Sequence, residues 1–328
     1  MEVHRPHQPA YAGVGTFMKV PLALDPSELS GADAVICGAP MDDLVTHRPG
    51  ARFGPQAIRT ATDDASSPRV WHMGLGIDPF AELNVVDHMD CDVRPGDPAS
   101  SHASLRAMVE GVRRAGAVPI VLGGDHSIAY PNISAVASSL PAGSVAVVQF
   151  DTHADTATEN WGNRWAHGTP FRHLVDEGIV PGHRLVQVGL RGYWPLKKEW
   201  SWARDAGVRW HRMDDVFERG IDAVIDSVLE QIEDAQHVFL SVDVDALDPA
   251  FAPGTGTPEP GGMTTFELLR AVRRLVLSKE LAGMEVVEVS PPYDHARITA
   301  WAAHRVVLEA LCALASRRSG RSPAPERS

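Results

Sequence analysis

The sequence predicts an α/β protein built on a parallel sheet, and three short segments carry that prediction. They are Gly123-Gly124-Asp125-His126-Ser127, Asp151-Thr152-His153-Ala154-Asp155 and Asp243-Val244-Asp245. Each follows a short apolar run, 118–122, 145–150 or 238–242, rich in Val and Ile. Runs of this kind read as strands buried on both faces, the habit of parallel sheets. The acids and imidazoles then fall at strand carboxyl ends, where open α/β sheets bind their ligands. Side chains alternate along a strand, so Asp151, His153 and Asp155 are expected to share a face, as are Asp243 and Asp245. With His126 this predicts four carboxylates and two imidazoles converging on one point.

Taken in order, residues 1–30 carry several prolines and little periodicity, and are expected to form an arm that wraps the body or a neighbour. Strands are predicted at 34–37, 84–87, 118–122, 145–150, 184–188, 238–242 and 283–289. Helices are clearest at 101–115, 221–233, 265–277 and 300–315, and Thr264 with Glu267 reads as a capping box opening the third. The alternation of strand and helix is continuous, so residues 31–315 are expected to form one catalytic domain. The Arg/Ser/Pro-rich tail 316–328 has the composition of a disordered terminus. There is no internal repeat.

The charge cluster dictates a cofactor. Four carboxylates cannot share a partly dry site unless protonated or neutralised, and two divalent cations balance them. A lone Asp-x-His more often caps a loop, but three such segments, each ending a strand, argue for a dinuclear site. Oxygen and nitrogen donors without cysteine suit Mn²⁺ first, with Ni²⁺, Co²⁺ or Zn²⁺ as alternatives. The 328 residues carry a net charge of −12 and a pI near 5.6. That balance argues against a nucleic-acid partner and suits a small cationic substrate. Cys37, Cys91 and Cys312 are odd in number and widely spaced, which fits a reducing, cytoplasmic setting without disulfides. No signal peptide or membrane span is read in the sequence, so no membrane partner is expected.

These segments resemble the ureohydrolase family of arginases, agmatinases and guanidinobutyrases, with the agmatinase branch looking closest. The resemblance runs from about Ala34 to Ala315. Its longest match is SVDVDALDPAFAPGTGTPEPGG, residues 241–262; others are HRPGARFGPQAIR (47–59), HGTPFR (167–172) and VEVSPPYDH (287–295). It implies a three-layer α/β/α arginase-like fold with an eight-stranded, mostly parallel sheet. It implies hydrolysis of a guanidino group to urea and an amine. By the same resemblance His126, Asp151, Asp155 and Asp243 hold one metal, and Asp151, His153, Asp243 and Asp245 the other, with Asp151 and Asp243 bridging. The family usually has Ala or Ser at Thr152 and often His at Gln149; neither is a ligand, but either residue alters the hydrogen bonds around the ligands. Family members are usually oligomers, often trimers or hexamers, so a homo-oligomer is expected.

A guanidinium is planar, cationic and a poor electrophile. Its hydrolysis needs a strong nucleophile at neutral pH, which divalent ions provide by acidifying water, and a carboxylate to hold the cation. Glu288 matches the family's guanidinium-binding Glu, and His167 its proton-shuttling His; with Asp155 these are the catalytic candidates. The segment 158–165 is expected to set specificity. There Glu159 would attract a distal amine, Arg164 a distal carboxylate, and Trp161 and Trp165 would line a small apolar pocket, although loop tryptophans more often pack on the scaffold. The expected activity is agmatinase-like. Alternatives are a guanidinobutyrase, a guanidinopropionase, an alkylguanidine or biguanide hydrolase, a formiminoglutamase, or a non-catalytic family subunit.

Overall fold

The computed structural model describes residues 9, 11–61 and 70–320. Among these residues eight strands form one sheet: β1 (Ala34–Ala39), β2 (Val85–Asp90), β3 (Val118–Gly123), β4 (Val145–Phe150), β5 (Leu185–Leu190), β6 (Arg209–Arg212), β7 (His237–Asp243) and β8 (Glu280–Val287). Their order is β2-β1-β3-β8-β7-β4-β5-β6. Every pairing is parallel, where the resemblance implied only a mostly parallel sheet. β1, β3, β4 and β5 are buried at every residue. Helices cover both faces, and this is why the strands read as unbroken apolar runs. β6, Arg-Trp-His-Arg at the sheet edge, carries no such run, and the sequence reading does not find it.

The helices are α1 (Gly54–Arg59), α2 (Pro79–Glu82), α3 (Pro98–Arg114), α4 (Ala129–Ser138), α5 (Pro170–Asp176), α6 (Lys197–Ala206), α7 (Met213–Arg219), α8 (Ile221–Gln231), α9 (Thr265–Ser278) and α10 (Ile298–Arg318). α3 starts where Asp97 accepts from the Ser100 N–H and Pro98 occupies the first helical position. The expected capping box at α9 is present: the Glu267 N–H donates to Thr264 Oγ1 at 3.2 Å, and the Thr264 N–H to Glu267 Oε2 at 2.8 Å. α10 is long and apolar enough to cross a membrane, but 83 % of its most apolar window is buried inside the molecule, so it is a core helix packed on α9. It runs to Arg318, beyond the expected body, and residues 321–328 of the expected tail lie outside the described residues.

Part of the expected arm, residues 1–8 and 10, also lies outside the described residues. The rest packs on its own chain. The Ala23 N–H donates to Asp87 O and the Asp87 N–H to Pro21 O, both at 2.9 Å, along the β2 edge of the sheet. Phe17 is fully buried and stacks on His304 of α10 with ring centroids 4.3 Å apart. Cys37, Cys91 and Cys312 are free and buried.

Parallel pairing sends every strand's carboxyl end to one edge of the sheet. β3, β8, β7 and β4 are neighbours at its centre, so the segments after them meet there. Gly124, just past β3, lets the chain pass close to a neighbouring turn. A Cβ on it would stand 2.0 Å from Met41 O and 2.6 Å from Ala39 O, so no other residue fits without moving backbone.

Candidate metal centre

Each of the three sequence segments leaves the sheet through a short turn held by its own aspartate. Asp125 Oδ1 accepts from the Ser127 N–H at 3.0 Å and opens the turn His126–Ile128. Asp151 Oδ1 accepts from the His153 N–H at 2.6 Å. Asp243, the last residue of β7, accepts from the Asp245 N–H at 2.8 Å and opens the turn Val244–Ala246. The convergence expected from strand alternation is reached differently. β4 ends at Phe150, and Asp155 returns toward the cluster because its backbone turns left-handed, with φ +51°. That conformation is costly for a residue with a Cβ and is held by its surroundings.

All six expected ligand residues come together. His126 Nδ1 lies 3.0 Å from Asp151 Oδ2, 3.0 Å from Asp155 Oδ2 and 3.3 Å from Asp243 Oδ2. His153 Nδ1 lies 3.0 Å from Asp245 Oδ2 and 3.6 Å from Asp151 Oδ1. Ligand atoms of His126, Asp151 and Asp155 all fall within 4.8 Å of one another, and so do those of Asp151, His153 and Asp245. Asp151 belongs to both groups. His126 Nδ1 and Asp245 Oδ2 are buried and form no hydrogen bond, as atoms oriented toward a cation would be. An all-oxygen-and-nitrogen donor set with four carboxylates fits two divalent ions.

The electrostatics point the same way. Burial, reinforced by Asp245 and Asp155, raises Asp151 to about 7. Burial and the same kind of crowding by Asp245 and Asp151 draw Asp243 well above the carboxylate range. Burial alone would lower His153, but Asp245 and Asp151 overcome it and raise it to about 10. Without cations the cluster therefore holds shared protons. Stripping the metals with a chelator is expected to lower the melting temperature by roughly 5–10 °C, since ligands bound only by the folded state contribute several kcal/mol. Calorimetry showing the same melting point after confirmed metal loss would remove the metal assignment.

A second tier of groups orients these side chains. Gln187 Nε2 donates to Gln149 Oε1 at 2.6 Å, and Gln149 Nε2 donates to Asp151 Oδ2 at 2.7 Å. The Thr152 N–H donates to Asp245 Oδ1 at 3.2 Å. The Arg191 guanidinium is spent on backbone carbonyls, including Asp245 O at 2.8 Å and Glu259 O, and so ties the Asp243–Asp245 turn to the loop before α9.

Glu288 stands one residue past β8 rather than inside it, with φ +64°. It is 1 % exposed. Its Oε1 accepts from the His126 backbone N–H at 2.9 Å and lies 2.8 Å from His167 Nδ1. Its Oε2 is buried and has no partner. His167 Nε2 lies 2.8 Å from Thr46 Oγ1 and 3.1 Å from Thr46 N, while Nδ1 faces Glu288. Burial lowers His167, and Glu288 with Asp155 overcomes it and raises it to about 9. Thr46 and Leu44, whose N–H reaches Asp125 Oδ2 at 3.2 Å, are participants that sequence reasoning misses, because nothing in their spacing marks them.

The specificity candidates are placed apart from one another. Arg164 pairs with Glu177 Oε1 at 2.7 Å and lies 4.3 Å over the Trp165 ring. Trp165 packs among Tyr130 and His173, with ring centroids at 4.9 and 5.9 Å. Both residues thus pack against the scaffold of α4 and α5, the commoner role of a loop tryptophan, and the charge of Arg164 is met by Glu177. Trp161 is 84 % exposed. Glu159 is exposed and makes no ion pair among the described residues.

Two imidazoles and four carboxylates at the carboxyl edge of a parallel sheet form a cluster that could hold two metal ions. A family model described as the arginase family matches residues 32–313, and the chain belongs to that family. Proclavaminate amidinohydrolase of Streptomyces clavuligerus is 40 % identical over 92 % of this chain and 94 % of its own. Guanidinopropionase of Pseudomonas aeruginosa is 38 % identical, covering 94 % and 93 %. Agmatinase of Chromobacterium violaceum is 37 % identical, covering 94 % and 91 %. The likeness therefore does not single out the agmatinase branch. Among solved structures, that of the Streptomyces clavuligerus amidinohydrolase superposes with a TM-score of 0.84, covering 94 % of this chain and all of its own, at 38 % identity. A Trypanosoma cruzi formiminoglutamase described with two Mn²⁺ superposes at 0.78 with 26 % identity, covering 87 % and 94 %. The chain is an arginase-family hydrolase of guanidino compounds, and the fold is the expected three-layer α/β/α one.

Proposed function

We propose that the chain hydrolyses a linear guanidino substrate to urea and an amine, with agmatine first among substrates and manganese in the site. One observation carries this reading: a buried carboxylate oxygen, Glu288 Oε2, stands without a partner beside the His/Asp cluster. A guanidinium supplies the planar N–H donors that such an oxygen lacks. Bound divalent ions would supply a nucleophile by acidifying water at neutral pH. His126, Asp151, Asp155, Asp243, His153 and Asp245 would hold them.

The chain's own residues do the rest. Glu288 binds and orients the guanidinium through Oε2, while its Oε1 is fixed by the His126 N–H and by His167. His167, held charged beside that carboxylate, gives one proton to the departing amine and is left as a neutral imidazole. Thr46, whose Oγ1 lies 2.8 Å from Nε2, keeps the ring in this orientation. Manganese is supported by the two Mn²⁺ of the formiminoglutamase neighbour.

Agmatine is favoured because Arg164 is already paired with Glu177, while Glu159 remains without an ion pair among the described residues. A second reading, a guanidino acid, has its own support. Two of the relatives above are named for acids of this kind. Arg48 lies with its Cζ 5.3 Å over the Tyr293 ring and makes no ion pair among the described residues. Its carbonyl oxygen and Glu288 Oε2 lie 3.2 and 3.5 Å from the point where a Cβ on Gly256 would stand.

Urea release from agmatine, guanidinopropionate, guanidinobutyrate, arginine and an alkylguanidine, measured with Mn²⁺ and with Ni²⁺, tests both. Glu159→Gln is expected to raise KM for agmatine about tenfold with kcat little changed, the signature of lost uniform binding. An unchanged kcat/KM removes Glu159. Urea from the guanidino acids but none from agmatine replaces the first reading by the second.

A further inference from the structure

Behind His126, away from the other ligands, a line of buried polar groups runs back between the strands. His126 Nε2 lies 2.8 Å from Ser241 Oγ on β7. The Ser241 hydroxyl donates to Glu285 Oε1 on β8 at 2.8 Å. Asn132 Nδ2 on α4 donates to Glu285 Oε2 at 2.7 Å. His126, Ser241, Glu285 and Asn132 are all 0 % exposed. No step of the reaction proposed above uses Ser241, Glu285 or Asn132.

The donors and acceptors along this line run in one direction. An ionised carboxylate only accepts. Asn132 and Ser241 supply its two oxygens, so the Ser241 proton points at Glu285. The Ser241 oxygen is then left to accept, and the donor facing it is the His126 Nε2–H. A neutral imidazole with its proton on Nε2 carries its lone pair on Nδ1. Nδ1 is the atom that lies 3.0–3.3 Å from the oxygens of Asp151, Asp155 and Asp243. A lone pair facing three carboxylates is repelled unless a cation stands among them.

We propose that Glu285 is a positioning residue: acting through Ser241, it fixes His126 as an Nδ1 ligand and so sets the affinity of the metal position built from His126, Asp151 and Asp155. Among the described residues no such line reaches the imidazole of the other position, built from Asp151, His153 and Asp245, and the His153 side chain is 24 % exposed. The two positions therefore differ in what stands behind their imidazoles. This inference rests on the dinuclear reading of the cluster.

Three substitutions separate orientation from packing, with Mn²⁺ binding to the full-length protein followed by calorimetry. Glu285→Met keeps the length of the side chain and removes the acceptor. It is expected to weaken one of the two ions on the order of 10–100-fold, the usual effect of removing a group that orients a ligand, and to leave the other ion within about threefold. Glu285→Gln keeps an oxygen that accepts from Ser241 and is expected to restore most of that loss. Ser241→Ala leaves Glu285 bonded to Asn132 and removes only the acceptor of His126; it is expected to weaken the same ion. ¹⁵N spectra of the proteins loaded with diamagnetic Zn²⁺ should show the Nδ1-bound, Nε2–H form of His126 depleted in the Met and Ala variants. Wild-type affinity for both ions in Glu285→Met or in Ser241→Ala overturns the proposal, and so does an equal loss in Met and Gln. A wild-type protein that binds fewer than two ions instead overturns the dinuclear reading on which it stands.

Discussion

Asp243→Ala is expected to reduce urea release to background and to cost the protein at least one metal ion. Asp243 is the last residue of β7 and is 2 % exposed; its Oδ2 lies 3.3 Å from His126 Nδ1 and its Oδ1 holds the Asp245 N–H. Removing it deletes a donor and also frees the turn that aims Asp245 at His153. Four carboxylates and two imidazoles become three and two, so the charge of two divalent ions is no longer balanced. Elemental analysis of the purified variant beside an activity assay checks both parts. Full activity with one ion or none would defeat the dinuclear account.

Glu288→Gln is the second large effect. The Gln side chain keeps the shape, and its oxygen can still accept from the His126 N–H and from His167. The atom at the position of Oε2 then becomes an NH₂ group, a donor turned toward a cationic substrate. A buried charge pair lost in this way costs about 2–5 kcal/mol, or roughly 30- to 4,000-fold in kcat/KM. Metal content is expected to stay at the wild-type level, because Glu288 is not among the ligands. Steady-state kinetics with metal analysis therefore distinguishes this variant from Asp243→Ala. A kcat/KM within threefold of wild type would take the guanidinium away from Glu288.

The sequence shows the site more fully than the fold. The three ligand segments are legible because each is an acidic or imidazole group placed directly after an unbroken Val/Ile run, and the burial of β3, β4 and β7 on both faces is what makes those runs unbroken. β6 is silent because an edge strand of Arg-Trp-His-Arg has no buried face to advertise. α4 is silent because it is buried on nearly all sides and lacks a polar stripe. The alternation argument names residues that the structure gathers for a different reason: Asp155 is turned inward by a left-handed backbone beyond the end of β4. Gln187, Ser241, Glu285, Asn132 and Thr46 leave no trace at all. A lone Ser or Gln inside an apolar run has no spacing to read, and only the packing of separate elements brings it behind a ligand.

The one-way run of all eight strands has a consequence for inheritance. Every turn that the site described above draws on lies at one rim of the sheet. Within the chemical rim the ligands sit directly at strand ends, whereas Glu159, Trp161 and Arg48 sit on longer excursions. The tips of those excursions can be exchanged as long as Thr46 and His167, on the same loops, keep their places. A lineage with this layout changes its diet by rewriting loops, while its reaction stays the same.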